Sequence, residues 1–171
     1  MIDPPWKKKK GGIRKSRPNQ DRDLDYETMS TQDIFSLLDS EVLVNKESHV
    51  VFMWTIEQYL VECDAYMLAR GYKRHCRFIW DKTNGVAPAF TIRFTHEYLI
   101  WYYRDGLLPI SKEQQGKFKT VFTEKSRQHS RKPDFAYQMV DLLYPNHPKI
   151  DVFSRELRPG WDQYGNELDK F

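Results

Sequence analysis

Asp3-Pro4-Pro5-Trp6 places a carboxylate, two conformationally fixed carbonyls and a large flat ring within four consecutive residues. Such a set suits chemistry on a planar aromatic amine. The lone pair of an exocyclic amine is delocalised into its ring, so attack on an electrophile requires the nitrogen to become more tetrahedral. Acceptors on both N–H groups favour that change and the positive charge that develops with it. Asp3 can accept one N–H through its carboxylate, and the Pro4 carbonyl can accept the other. Pro5 fixes its own φ and pushes Pro4 towards an extended conformation, which keeps the acceptors ordered between turnovers. Trp6 offers a face on which a base can stack. The alternative is an ordinary Asp-Pro-Pro turn with Trp6 as an apolar plug, and these residues alone leave it open.

Lys7 to Lys10, with Arg14, Lys15 and Arg17, form a basic, Gly-containing tract directly after Trp6, and Asp21, Asp23 and Asp25 follow it. A charge run by itself is usually a solvated loop. Beside a candidate active site, Lys8, Lys9 and Arg14 become candidates to neutralise phosphates and hold a polyanion near the chemistry. A nucleic-acid substrate is therefore expected. With 171 residues, 40% hydrophobic and 15% aromatic, the chain can bury one sizeable core and is short for two. The expectation is one domain over 1–171 with a basic loop at 7–25 and an irregular loop at 106–130. No apolar run approaches the roughly 20 residues needed to cross a bilayer, and no secretory h-region opens the sequence. Cys63 and Cys76 lack CxxC spacing or a second ligand pair. These features predict an intracellular, cytoplasmic protein with free thiols, no membrane partner and no bound metal.

The elements that must position the tetrapeptide follow from periodicity. Ser30, with Asp33 at N3, caps a helix over 31–39 whose apolar face is Ile34, Leu37 and Leu38. The run His49 to Trp54 reads as a strand covered on both faces. Ile56, Leu60, Cys63 and Met67 recur at helical spacing, and Gly71 stands where a left-handed cap ends the helix. Lys73 to Trp80 and Tyr98 to Arg104 read as further strands. Residues 83–95, with Gly85 and Pro88, and residues 106–130 read as loops facing substrate. Pro133 and Asp134 open a helix with a Phe135, Met139, Leu142, Leu143 stripe, and Ile150 to Ser154 is the strand after it. Alternating strands and helices predict an α/β fold with a largely parallel sheet, which binds ligands beyond the carboxyl ends of its strands.

Read together, several motifs in order resemble the MT-A70 family of N6-adenine methyltransferases over most of the chain. They are Asp3-Pro4-Pro5-Trp6, Tyr26-Glu27-Thr28-Met29-Ser30, Ile79 to Asn84, His96 to Leu99, Ser130 to Asp134, Asp151 to Glu156, Pro159 to Asp162 and Tyr164 to Glu167. The resemblance implies a Rossmann-like S-adenosylmethionine-dependent methyltransferase fold with permuted motif order, the catalytic Asp3 to Trp6 preceding the cofactor strand. It implies that Phe153, Ser154, Arg155 and Asn166 lie along S-adenosylmethionine, that Lys82 meets the cofactor carboxylate or the substrate, and that Tyr26 lines the active site. His96 with Glu97 is read as structural, and Ser130 and Lys132 as capping and orienting the next helix, with cofactor contact as the second reading. The sequence has no GxGxxG, so the cofactor assignment rests on the resemblance. Family members carry a strand and cofactor contacts ahead of the motif, whereas Met1 and Ile2 precede Asp3 here. Later loops, a second subunit in a homodimer or heterodimer, or residues ahead of Met1 are expected to complete the adenine pocket. Analogy with small bacterial or phage enzymes places DNA before RNA as the substrate. The alternatives are an RNA N6-adenine methyltransferase and a catalytically inactive nucleic-acid-binding subunit.

Overall fold

The computed structural model describes residues 1–7, 27–44, 47–83, 92, 94–128 and 130–171. Lys8, Lys9, Arg14 and Tyr26 lie outside the described residues, as do most of the basic loop and of the loop at 83–95. The chain divides into two compact units, Met1–Asp3 with Lys46–Phe171, and Pro4–Asn45.

In the smaller unit, helix α1 (Thr31–Leu37) continues into a widened turn at Leu38–Val42. Ser30 Oγ accepts from the Asp33 amide at 3.2 Å and donates to the Asp33 carboxylate at 2.6 Å, the reciprocal cap expected of that pair. Ile34 and Leu38 are buried, and the Trp6 ring meets Phe35 edge-on at 6.4 Å.

The larger unit is built on β1 (Val50–Thr55), α2 (Leu60–Ala69), β2 (Lys73–Asp81), β3 (His96–Tyr103), β4 (Val121–Thr123), α3 (Asp134–Leu143), β5 (Ile150–Val152) and β6 (Asp162–Tyr164). The strands order as β1-β3-β2-β4 in one array and β5-β6 in another. Met1–Asp3 lies between them, with Ile2 bridged in parallel to Met53 of β1 and to Val152 of β5. The bridging hydrogen bonds are regular: the Ile2 amide donates to the Phe52 carbonyl at 2.8 Å and the Asp3 amide to the Val152 carbonyl at 3.1 Å.

The expectation of a largely parallel sheet is corrected. Strand β3 lies between β1 and β2 and runs antiparallel to both, giving a mixed sheet. Parallel neighbours need a long crossover, usually a helix, whereas β3 pairs antiparallel with β2 from Asp81 opposite His96 onwards. The elements read from periodicity otherwise fall close to their expected places, and Gly71 caps α2 with φ of 81°. Two short strands complete the fold: β4, within the stretch 106–130 read as a loop, is parallel to β2, and β6, at residues that carry no period, is parallel to β5. The last long strand ends earlier than expected, at Val152, because Phe153 takes φ of 63°.

Both faces of the sheet are covered. Phe52, Trp54, Phe78, Trp80, Leu99 and Trp101 project to one face by strand alternation and meet Ala136, Tyr137, Met139, Val140 and Leu143 of α3. Leu142, placed on the apolar stripe, is instead 48% exposed, because the packed face runs through Ala136 and Val140. On the other face α2 docks through Cys63, whose Sγ lies 3.3 Å from Thr55 Oγ1, and through Asp64, which accepts from Tyr102 Oη at 2.6 Å. No helix among the described residues is long and apolar enough to cross a membrane.

Candidate active site

Asp3 follows Ile2 at the carboxyl end of a segment hydrogen-bonded on both sides, so the position of its side chain is set by backbone pairing with β1 and β5. Parallel α/β arrays leave their ligand crevice at this end. A cleft lies there, lined by Asp3, Lys132, Tyr137, Asp151 and the turn Phe153-Ser154-Arg155, among others.

A chain of alternating charges runs from Asp3 into the sheet. Lys132 Nζ lies 2.8 Å from Asp3 Oδ1 and 3.5 Å from Glu97 Oε2, and Lys82 Nζ lies 2.5 Å from Glu97 Oε1. Each ammonium also sits near an indole face, Lys132 at 5.6 Å from the Trp54 ring and Lys82 at 5.5 Å from that of Trp80. Burial raises the Asp3 pKa to about 6; the charge and hydrogen bond of Lys132 pull against that rise, and Glu97 and Asp151 add to it. Near neutral pH Asp3 is therefore a largely ionised acceptor that can still take up a proton at mildly acidic pH.

Lys132 is placed by the strand that sequence periodicity did not reveal. Strand β4 pairs with β2, and Glu124, just after it, accepts through its carboxylate from the amides of Asp134 and Phe135, each at 3.0 Å. Those are orphan donors at the start of α3, so Glu124 fixes the helix end that Lys132 precedes. The Glu124 backbone carbonyl in turn accepts from Trp80 Nε1 at 2.7 Å.

On the opposite wall, Phe153 turns the chain out of β5, and Ser154 and Arg155 follow into the cleft lining. The amides of Phe153 and Ser154 both donate to the Tyr164 carbonyl, at 2.6 and 3.1 Å. Gly165 lies so close that a Cβ there would stand 2.6 Å from the Ser154 carbonyl oxygen. Arg155 Nε pairs with Glu167 at 2.9 Å.

Of the site residues expected from sequence, Asp3, Phe153, Ser154 and Arg155 line one cleft. Lys82 is outside that lining and joins it through Glu97, and Asn166 is exposed beyond Gly165. Pro4, Pro5 and Trp6 belong to the smaller unit, where the Trp6 amide donates to the Pro4 carbonyl at 2.8 Å and the Met29 amide to the Pro5 carbonyl at 3.0 Å. Sequence reasoning passed over Tyr137, read Glu97 with His96 as structural, gave Asp151 a place in a motif without a role, and gave Lys132 a helix-orienting role first. A charge at position 97 within an apolar strand was the available signal, since a buried Glu needs a partner. His96 Nε2 lies 2.9 Å from Tyr98 Oη. Among the described residues no cluster of His, Cys, Asp and Glu could hold a metal ion.

Several known proteins are similar to this chain in sequence. N(6)-adenosine-methyltransferase catalytic subunit METTL3 of Homo sapiens is 27% identical over 175 residues, covering 99% of this chain and 28% of the relative. The MT-A70-like N(6)-adenosine-methyltransferase of Drosophila melanogaster is 26% identical, covering 99% of this chain and 26% of the relative. Type II methyltransferase M.MunI of Mycoplasma sp is 22% identical, covering 98% of this chain and 76% of the relative. The chain thus spans little more than a quarter of the length of the METTL3 relative, 28%. The MT-A70 family model matches residues 1–167, and the chain belongs to the MT-A70 family.

Proposed function

We propose that this chain transfers a methyl group from S-adenosylmethionine to the N6 amine of adenine in a nucleic acid. The observation that carries the reading is Asp3: a carboxylate at the carboxyl end of a paired strand segment, held by Lys132 and lining a cleft. The names of the relatives, N(6)-adenosine-methyltransferases among them, support the same reaction.

The donor set of the cleft fits the cofactor. S-adenosylmethionine supplies an electrophilic methyl on a sulfonium, and it carries a cationic amine, a carboxylate, a ribose and a flat base. The cleft offers carboxylates for the cationic parts, Lys132 and Arg155 for the carboxylate, and the rings of Phe153 and Phe171 for apolar contact. Phe153, Ser154, Arg155 and Asn166 hold the cofactor in this reading, with Lys82 acting through Glu97. The motif order is then permuted, with the amine-holding residues ahead of the cofactor strand β5.

Lys132 holds Asp3 Oδ1, which leaves Oδ2 to accept one N–H of the target amine and to stabilise the charge that develops on nitrogen. The Pro4 carbonyl takes the second N–H and Trp6 stacks on the base, roles that rest on the sequence motif. Lys8, Lys9, Arg14 and Tyr26 bind the polymer on the same basis. The intact tetrapeptide favours an active enzyme over a non-catalytic subunit.

DNA stands before RNA as the substrate, supported by the share of type II methyltransferase M.MunI that the chain spans, 76%. RNA has its own support in the higher identity to METTL3, 27%. A homodimer or a heterodimer that completes the adenine pocket, in the cytoplasm of a bacterium or of a phage-infected host, belongs to the same proposal. The test is nucleoside analysis of DNA and RNA after incubation with enzyme and cofactor. N6-methyladenine in DNA supports the full reading, and N6-methyladenine in RNA alone moves the substrate. N4-methylcytosine would overturn the assignment to adenine.

A further inference from the structure

Lys132 reaches Asp3 from a loop, and the facing wall of the cleft belongs to a different element. Ser130, Arg131 and Lys132 stand just ahead of α3, whereas Glu156 and Arg158 follow β5. Two contacts cross between these walls in opposite directions. Arg131 grips Glu156 with its guanidinium fork, Nε donating to Oε2 at 3.1 Å and Nη2 to Oε1. Arg158 reaches back, with Nη1 and Nη2 each donating to Asp134 Oδ1 at 3.2 Å, while Nη2 also donates to Glu156 Oε2 at 2.7 Å. The Arg131 and Glu156 side chains are only 20% and 18% exposed, and a forked pair so shielded holds its geometry better than a surface ion pair.

The backbone of the loop shows what such a clasp has to hold. Ser130 takes φ of 66°, a left-handed conformation that a residue with a Cβ keeps only where its surroundings impose it. Beyond Lys132 the chain is fixed by Glu124, which accepts from the Asp134 and Phe135 amides, and the Lys132 carbonyl itself accepts from Arg127 Nη2 at 3.1 Å. Arg131 fixes the chain directly before it. Consecutive side chains thus diverge, Arg131 to Glu156 and Lys132 to Asp3. We propose that Arg131 and Glu156 are positioning residues for Lys132, a clasp that ties the wall assigned to the cofactor to the ammonium that holds Asp3. The proposal rests on the amine-site reading above and adds to it that the two halves of the site are set by one ion pair.

The sign of the effect on Asp3 separates this role from a direct electrostatic one. Asp3 is faced by Lys132, by Glu97 of β3, by Asp151 of β5 and by Tyr137 of α3. Removing the negative charge of Glu156 acts directly by lowering the Asp3 pKa, since a like charge disfavours the carboxylate. Loosening Lys132 raises it, because the cation that favours the carboxylate withdraws.

The test is a ¹³C titration of the Asp3 carboxyl in the full chain. Glu156→Gln is expected to move the midpoint upward by about half a unit to one unit, less than the loss of Lys132 itself. Arg131→Lys keeps the charge and loses the fork, so a smaller upward shift is expected. In a Lys132→Met background Glu156→Gln should no longer raise the midpoint, and in the wild-type background the acid limb of kcat/KM should follow the titration. A midpoint that stays or falls in Glu156→Gln, or a rise that persists without Lys132, overturns the proposal. If Glu156→Gln does not fold, Arg131→Lys decides by the same sign. A wild type that transfers no methyl group would overturn the amine-site reading, a result distinct from the titration, which decides the clasp without turnover.

Discussion

Replacing Lys132 with Met separates the electrostatic part of the site from its packing. Met keeps much of the apolar stem and removes the cation that holds Asp3. Asp3 stands at about 6 because burial raises it further than Lys132 lowers it, with Glu97 and Asp151 adding to the rise. The ammonium lies 2.8 Å from Asp3 Oδ1, and a hydrogen bond to a charged group contributes about 1.5–3 kcal/mol. At about 1.4 kcal/mol per pH unit, its loss should move Asp3 upward by about one to two units. Glu97 keeps Lys82 at 2.5 Å, so the change falls mainly on Asp3. Only the carboxylate form accepts an N–H on either oxygen, so activity is present above the Asp3 pKa and is lost as pH falls through it. The acid limb of kcat/KM should therefore stand near 6 in the wild type. In Lys132→Met it should stand roughly one to two units higher, with several-fold loss at neutral pH and recovery in alkaline buffer. The assay is kcat/KM against pH, paired with a ¹³C titration of the Asp3 carboxyl. A limb that stays in place, or a loss that is uniform across pH, would refute the role given to Lys132.

Three further outcomes follow from packing and burial. Gly165→Ala forces a Cβ to within 2.6 Å of the Ser154 carbonyl oxygen, so the turn at Phe153–Arg155 must shift. A stability loss of about 1–3 kcal/mol by denaturant melt is expected, with weaker S-adenosylhomocysteine binding. Glu124→Ala removes the acceptor for the Asp134 and Phe135 amides and should cost about 1–2 kcal/mol. Because Lys132 precedes that helix end, kcat should fall as well, and Glu124→Gln should lose less on both counts. Burial pushes the Cys63 thiol up to about 12 and that of Cys76 up to about 11. Native protein at pH 8 should thus react slowly with a thiol-directed disulfide reagent and quickly once denatured, a difference that absorbance of the released thiolate reports.

Much of the fold is legible where hydrophobic period and length agree. The run at 50–55, the 60–69 helix with its Gly71 cap and the 134–143 helix each carry a clear pattern and a clear stop. Strands β4 and β6 carry neither, since Val121-Phe122-Thr123 and Asp162-Gln163-Tyr164 are too short to show a period and are fixed by pairing with distant strands. The direction of β3 was likewise invisible, because a strand buried on both faces reads the same whether its neighbours run with it or against it. At the site, Asp3 and the Phe153–Arg155 turn were recognisable from motif order. Glu97 and Asp151 were not assigned to the amine or cofactor chemistry, and Lys132 was assigned to the cofactor only as a second reading, since each gains its meaning from a partner far away in sequence. Lys132, just ahead of α3, meets Glu97 of β3, and Asp151 of β5 meets Tyr137 of α3.

The central claim is that Asp3 acts on the target amine. Methyl transfer from labelled S-adenosylmethionine to adenine-containing DNA and RNA, run with wild type and with Asp3→Ala, tests it most directly when S-adenosylhomocysteine binding is measured on the same preparations. The account predicts N6-methyladenine from the wild type and its loss in Asp3→Ala, with the variant folded and still binding S-adenosylhomocysteine. Undiminished methyl transfer by the folded variant would contradict it.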